Sequence, residues 1–400
     1  MNSINRRIFL RNSALAMAGI GIAPAWLQRT AQAAQTGARP KILVTLFQRG
    51  AADGLNIVVP HAEPLYYALR PSIAVPRETV IDLDGFFGFN PALAPLKPLW
   101  DAKHLAIVHA SGSPDATRSH FDAQDYMESG TPGRKSTADG WLNRALPPTP
   151  KPSPVRAISL GPALPRAMRG THSAVAVESL ADFKIRDEAA AKQFETLYGS
   201  DQILGGTARQ TFEAVKLLQS ISDSAPRPGV EYPRGRFGES LRQIAQIIKA
   251  DVGLEVAFAD LGGWDHHVNE PNQLTTRLTE FGAAIAAFHT DLGDQMEDIV
   301  LVTMSEFGRT AKENGNRGTD HGHANAMFIL GGPVHGQKVY GKWPGLAPEQ
   351  LYQNRDLAVT TDFRDVLGEA VQRHLGNPNL NQVFPGYAIS TDRFPGLLSQ

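Results

Sequence analysis

The chain has 400 residues, with 39 Lys plus Arg against 40 Asp plus Glu, a formal charge of −1 and no cysteine. The charge balance lacks the basic excess of a nucleic-acid-binding protein. The missing cysteine excludes disulfides, thiolate metal sites and cysteine nucleophiles, while the length suffices for a large core in one or two domains.

The first elements are those of an export signal. "NRRIFLRNSALAMAGIGIAPAWL" carries Arg6-Arg7, then Phe9-Leu10, then a run rich in Ala and Gly. "AQA", Ala31 to Ala33, has the small-x-small form of a cleavage site. This layout predicts a twin-arginine signal peptide over 1–33 and export machinery as a partner. A membrane anchor is the other reading, but Ser13 to Leu27 is short against the ~20 apolar residues of a span. The mature protein is expected to be a single domain over 34–400, periplasmic or secreted, with no membrane span.

"KILVTLFQ", Lys41 to Gln48, reads as a buried first strand ending in the polar loop "RGAADGLN". "NPALAPLKPLW" reads as a short helix before a second strand, Leu105 to Ala110. "SHFDAQDYMESG" predicts a helix capped by Ser119, with Asp122 at the capping-box position. "PPTPKPSP" is a stiff connection to a third strand, "RAISLG". Residues 185–250 are expected to form a mainly helical excursion.

"LEVAFADLGGWDHH" follows as strand then loop. Leu274, Leu278, Phe281, Ile285, Phe288 and Leu292 then step by four and three, the spacing of an amphipathic helix. "DIVLVTMSEFG" is apolar throughout its strand-like part, as in a parallel sheet covered on both faces. "GTDHGHA" precedes one more strand, Ala326 to Leu330, and "DFRDVLGEAVQRHLG" reads as a helix closed by Gly376. The alternation predicts an α/β fold with a mostly parallel central sheet and helices on both faces.

Ligands of open parallel sheets bind beyond the carboxyl ends of the strands. Those ends here offer Arg49, Asp53 and Asn56; Ser119, His120 and Asp122; Asp265, His266 and His267; and Ser305, Glu306 and Arg309. Asp320, His321 and His323 add to them. Carboxylate and imidazole together suit zinc, manganese, iron or nickel. In both Asp265-x-His267 and His321-x-His323 the two side chains fall on one side of an extended chain. Two ions a few Å apart could clamp an ester oxyanion. The competing reading is that these histidines cap turns or pair with neighbouring acids. Arg49 and Arg309 suit an anion, or equally a salt bridge to Asp53 or Glu306. Ser119 is expected to cap its helix, and Trp264 and Phe121 to pack.

The combined motifs "RGAADGLN", "SHFDAQDYMESG", "GWLNRAL", "GGWDHH", "MSEFGRT" and "GTDHGHA" resemble the bacterial domain-of-unknown-function family numbered fifteen hundred and one. The resemblance spans Pro40 to about Arg393. It implies twin-arginine export and a distant kinship to the alkaline phosphatase and sulfatase superfamily. Against that superfamily's Ser-Asp-His-Gly, "SEFG" places Glu306 at the acidic ligand and Phe307 at the histidine. "GTDHGHA" implies His321 or His323 as a ligand, and Asp265 with His267 matches an upstream Asp-His pair. Asp53 stands later than the superfamily's first metal-binding Asp, and "FQRGAADG" holds no hydroxyl nucleophile. The expected activity is hydrolysis of a small anionic phosphate or sulfate ester. It would use a divalent ion, for which zinc, manganese and calcium are candidates. The expected ligands are Asp53, Asp265, His267, Asp320, His321 and His323. Glu306 would be ligand or general base, and Arg49 and Arg309 would hold the anion. The alternative is a non-catalytic periplasmic binding or assembly protein that kept the fold.

Overall fold

The structure, a computed structural model, describes residues 40–150, 152–180, 213–219, 221 and 225–399. The signal segment and residues 181–212 of the expected helical excursion lie outside the described residues.

Among the described residues nine strands form the central sheet: β1 (Ile42–Gln48), β5 (Leu105–Gly112), β6 (Ala157–Leu160), β7 (Val175–Val177), β8 (Val256–Leu261), β9 (Ile299–Met304), β10 (Asn325–Leu330), β11 (Lys338–Tyr340) and β12 (Thr361–Asp362). A small sheet of β2 (Val58–Val59), β3 (Ile81–Asp82) and β4 (Gly88–Phe89) stands apart. The main order is β11-β5-β10-β9-β1-β8-β6-β7, with β12 paired to the end of β5. β10 alone runs antiparallel, against both β5 and β9. The sheet is therefore mostly parallel, and the fold is α/β.

The core explains why these segments became central strands. In β1, Ile42, Val44 and Leu46 enter one apolar layer, while Leu43 and Phe47 enter the other. A strand buried on both faces needs this continuous apolar run. Helices cover each layer. On the first lie α2 (Arg236–Ala250), with Leu241, Ile244, Ile247 and Ile248, and α3 (Glu270–Leu292), with all six residues of the predicted face buried. Each such side chain contributes ~1.5–3 kcal/mol when fully buried. That outweighs the lack of a side-chain cap at Asn269. On the second layer lies α4 (Phe363–Glu369), with Phe363, Val366 and Leu367. Within the span expected to be mainly helical, residues 213–219 and 236–250 are helical and 225–235 are not. Pro226, Pro228 and Pro233 withhold backbone donors there, and Gly229 and Gly235 adopt positive φ.

α1 (His120–Ser129) starts where expected: the Ser119 hydroxyl accepts from the Asp122 amide at 3.5 Å. Its amino end faces the carboxyl edge of the sheet, eight residues beyond β5. The loops after β1, β8 and β9 leave the sheet at that same edge. Because β10 is reversed, the loop before it, Gly318 to Ala324, arrives there too. Among the described residues no helix is long and apolar enough to cross a membrane.

Candidate metal centre

Three imidazoles and one carboxylate meet at this edge. The Nε2 atoms of His120 and His321 lie 3.0 Å apart, as do those of His267 and His321. Asp265 reaches His267 Nε2 at 3.0 Å and His321 Nε2 at 3.4 Å through Oδ1, and His120 Nε2 at 3.5 Å through Oδ2. His120, Asp265 and His321 each offer an atom within 4.8 Å of the others, and His267 joins them through these contacts. The four residues come from three separate chain segments: α1, the loop after β8, which supplies both Asp265 and His267, and the loop before β10.

The outward nitrogens settle the tautomers. His120 Nδ1 lies 2.8 Å from Glu306 Oε1, His267 Nδ1 lies 3.1 Å from Asp320 Oδ1, and His321 Nδ1 lies 2.8 Å from the Arg118 carbonyl. A carbonyl or an ionised carboxylate only accepts, so each Nδ1 carries the hydrogen. Both carboxylates are ionised. Burial pushes Glu306 up, but hydrogen bonds from His120 and Gln124 outweigh it and hold the group below its usual range. Burial likewise raises Asp320, and hydrogen bonds from His267 and Asn314 bring it below. With Nδ1 as the donor on each ring, the three Nε2 atoms and the Asp265 oxygens are left facing one another. Nitrogen and carboxylate donors turned toward one another are the chemistry that a cation takes up.

The protonation bias differs around the cluster. The Glu306 hydrogen bond raises His120 despite partial burial, whereas burial lowers His321. Burial pushes Asp265 up, and the Arg309 hydrogen bond and charge hold it below the normal carboxylate range. Phe307 packs beneath, its ring 5.0 Å from His120 and 5.1 Å from His321. The Asp265 side chain is 45% exposed and that of His267 38%. The cluster is thus open to solvent on one side.

The donors fit a metal ion. Their separations of 3.0 to 3.5 Å bracket the ~3.3 Å edge of a tetrahedron built on bonds of ~2.0–2.1 Å. Carboxylate or carbonyl partners on the far nitrogens are the usual support of metal-binding histidines.

Three of the expected ligands, Asp265, His267 and His321, are brought together here. Asp320 stands behind His267 instead of facing the centre. His323 is buried away from it, stacked on Tyr352 at 4.3 Å. Asp53 is fully buried and paired with Arg70, Oδ2 to Nη1 at 2.5 Å and Oδ1 to Nη2 at 3.1 Å. It also caps the turn Gly54–Ile57 by accepting from the Leu55 amide. A carboxylate so committed has no oxygen to offer the centre.

The other expected site residues also turn inward. Glu306 is sealed from solvent and accepts from Gly50 N, His120 Nδ1 and Gln124 Nε2. It orients a histidine and is neither ligand nor general base. Arg309 is buried and donates to the carbonyls of Ala51, Thr319, Gly50 and Trp264, and to Asp265 Oδ1 at 2.5 Å. It pins three loops and one ligand and leaves no fork for an anion. Arg49 is spent on Asp260 at 2.6 Å and Glu128 at 2.9 Å, so its salt bridges are to neither Asp53 nor Glu306. Trp264 packs as expected, with no exposed surface. Phe121 does not pack: it is 90% exposed.

His120 is named among the strand-end groups of the sequence but not among the expected ligands. Its signal was present, since "SHFDAQ" follows the second strand at the productive edge. The glycines of "GTDHGHA" have a steric role. A Cβ on Gly318 would meet the His267 carbonyl carbon at 2.3 Å, and one on Gly322 the Arg309 carbonyl carbon at 2.2 Å. Only glycine lets the loop lie flat against its neighbours.

The chain belongs to the family described as "Protein of unknown function (DUF1501)", which it matches over residues 100–382. No curated protein matches the sequence. Among solved structures, the chain is similar to the PsFucS1 sulfatase from Pseudoalteromonas sp., at 13% identity, TM-score 0.40, with 99% of this chain and 77% of that one covered. It is also similar to the C-terminal periplasmic domain of EcEptC from Escherichia coli, a complex with Zn, at 11% identity, TM-score 0.33 and 74% coverage of each. A TAB5 alkaline phosphatase mutant with Mg bound is similar at 10% identity, TM-score 0.33, covering 73% of this chain and 91% of that one. These likenesses are distant, and the assignment of the centre rests on its own residues.

Proposed function

We propose that this chain is an exported, metal-dependent hydrolase of phosphate or sulfate esters, built on one divalent ion held by His120, Asp265, His267 and His321. The observation that carries the reading is the convergence of three Nε2 lone pairs and a carboxylate, with every outward nitrogen tied to an acceptor. Three imidazoles favour zinc or iron, and the carboxylate keeps manganese a candidate. Calcium, an expected candidate, prefers an all-oxygen shell and fits poorly.

Such an ion, when bound, supplies Lewis acidity and makes water a stronger acid at neutral pH. The protein's own groups hold the donors still. Glu306 and Asp320 fix two rings, the Arg118 carbonyl fixes the third, and Arg309 holds Asp265. Among the described residues we assign no side chain as nucleophile. The hydroxyls of Ser119, Ser305, Thr310 and Thr319 are committed to the Asp122 amide, the Gln48 carbonyl, the Lys312 carbonyl and Glu270. Water is then the attacking group, entering from the exposed side of Asp265 and His267.

A second reading, a metal-loaded binding or assembly protein without turnover, is favoured by one observation. Both arginines expected to grip the anion are spent inside the protein. Assay of zinc-, manganese- and iron-loaded protein on phosphate monoesters, phosphate diesters and sulfate esters separates the two. Turnover that follows metal content supports the hydrolase. A fully loaded protein inert on all three classes supports the binder.

A further inference from the structure

Three large apolar side chains stand exposed among the described residues: Leu65 at 37%, Val268 at 53% and Phe121 at 90%. The two most exposed are each the next residue after a histidine of the metal centre, Phe121 after His120 and Val268 after His267. Scattered surface hydrophobics are ordinary. Two that each directly follow a histidine of one centre, the most exposed of the three in the described surface, form a local pattern.

The position of Phe121 adds to this. It lies in the first turn of α1, whose amino end is where His120 meets the cluster. In a helix each Cα–Cβ bond tilts toward the amino end, so Phe121 leans to the same side as the centre. Ala123 and Met127, on the other flank of the helix, are buried, whereas Gln124, three residues after Phe121 and on its side, reaches Glu306 beside His120. No contact within the fold accounts for the Phe121 ring, whereas a molecule reaching the open side of Asp265 and His267 would pass it.

We infer that Phe121, with Val268, forms an apolar rim to the metal centre and selects esters whose organic group is apolar, most strongly an aromatic one that can lie against the Phe121 ring. The inference rests on the hydrolase reading above. The metal would take the anionic end of the substrate and the rim its organic end. Partial burial of a phenyl ring against such a rim corresponds to about a tenfold gain in affinity.

The test uses zinc-loaded mature protein and two non-hydrolysable probes, phenylphosphonate and methylphosphonate, with calorimetric affinities. The wild type should bind the phenyl probe about tenfold tighter. Phe121→Ser should bring the two affinities together, while metal content and the methylphosphonate affinity hold. Because Phe121 is exposed, this change removes little folding energy. Equal affinities in the wild type, or an unchanged preference in both Phe121→Ser and the double variant with Val268→Ser, would overturn the rim but leave the hydrolase reading standing. Binding of neither probe would defeat both. A change in oligomeric state in Phe121→Ser would assign the ring to a contact between chains and overturn the rim as well.

Discussion

Glu306 Oε1 and His120 Nδ1 lie 2.8 Å apart across 186 positions of sequence. The contact joins the end of a central strand to the start of a helix and decides the role of both residues. With its side chain sealed from solvent, Glu306 cannot reach a substrate; it can only hold a ring whose other nitrogen faces the centre.

Weakening this pair should weaken the metal. Glu306→Gln keeps an acceptor for His120 but removes the charge. Loss of such support behind a metal-binding histidine typically costs about 10–100-fold in affinity. Competition against a chromophoric chelator should show a drop of that size. An unchanged affinity would mean that His120 is not a ligand.

Asp53 should prove structural. Its partner Arg70 is fully buried, and removing one member of a buried pair costs about 3–5 kcal/mol. Asp53→Asn should therefore lower Tm sharply while the folded protein still takes up one ion. Loss of metal with stability retained would return Asp53 to the ligand set.

Beside this pair lies a carboxyl biased toward its protonated form. Glu270 is buried, accepting from Asn56 and Thr319, and burial together with nearby Asp53 pushes it well above the usual carboxylate range. A folded-state pKa above the unfolded ~4.3 contributes stability at low pH that is lost as pH rises toward the folded value, at about 1.36 kcal/mol per unit. Glu270→Gln removes that slope. The variant should exceed the wild type in Tm at pH 7 to 8, and the curves should meet near pH 4. Asp53 acts with the opposite sign. Burial raises it but Arg70 wins and holds it low, so its contribution is present above ~3.9 and lost on acidification. A Glu270→Gln deficit that is constant with pH would show that Glu270 is ionised.

Arg309→Lys should reduce both stability and metal affinity. A lysine ammonium cannot reproduce a fork that serves four carbonyls and Asp265, and each buried acceptor left unpaired costs about 1–3 kcal/mol. Unfolding curves and the chelator titration read the two effects. Loss of turnover alone, with Tm and affinity intact, would place Arg309 against substrate.

Much of the scaffold was legible because it depends on local pattern. The unbroken apolar run of β1 and the four-three spacing from Leu274 to Leu292 each report burial directly. The site was legible as a region, since four polar clusters at strand ends had to share one edge. The reversal of β10 was not, because direction depends on pairing with distant strands. Roles within the site were hidden for the same reason. Asp320 reads as well as His321 in "GTDHGHA", yet only one faces the centre. Arg309 looks like an anion clamp until the carbonyls of Gly50, Ala51 and Trp264 are seen around it. His120 reads as the first residue of a capped helix, and Glu306, which gives it its task, is supplied by another strand.

The most direct test is the metal content of the mature protein after gentle purification, measured for the wild type beside His120→Ala and His321→Ala. One divalent transition ion per chain in the wild type, and little or none in either folded variant, is the predicted result. A wild type that holds no ion even after zinc, manganese or iron is added back, or variants that hold as much as the wild type, would contradict the centre assigned to His120, Asp265, His267 and His321.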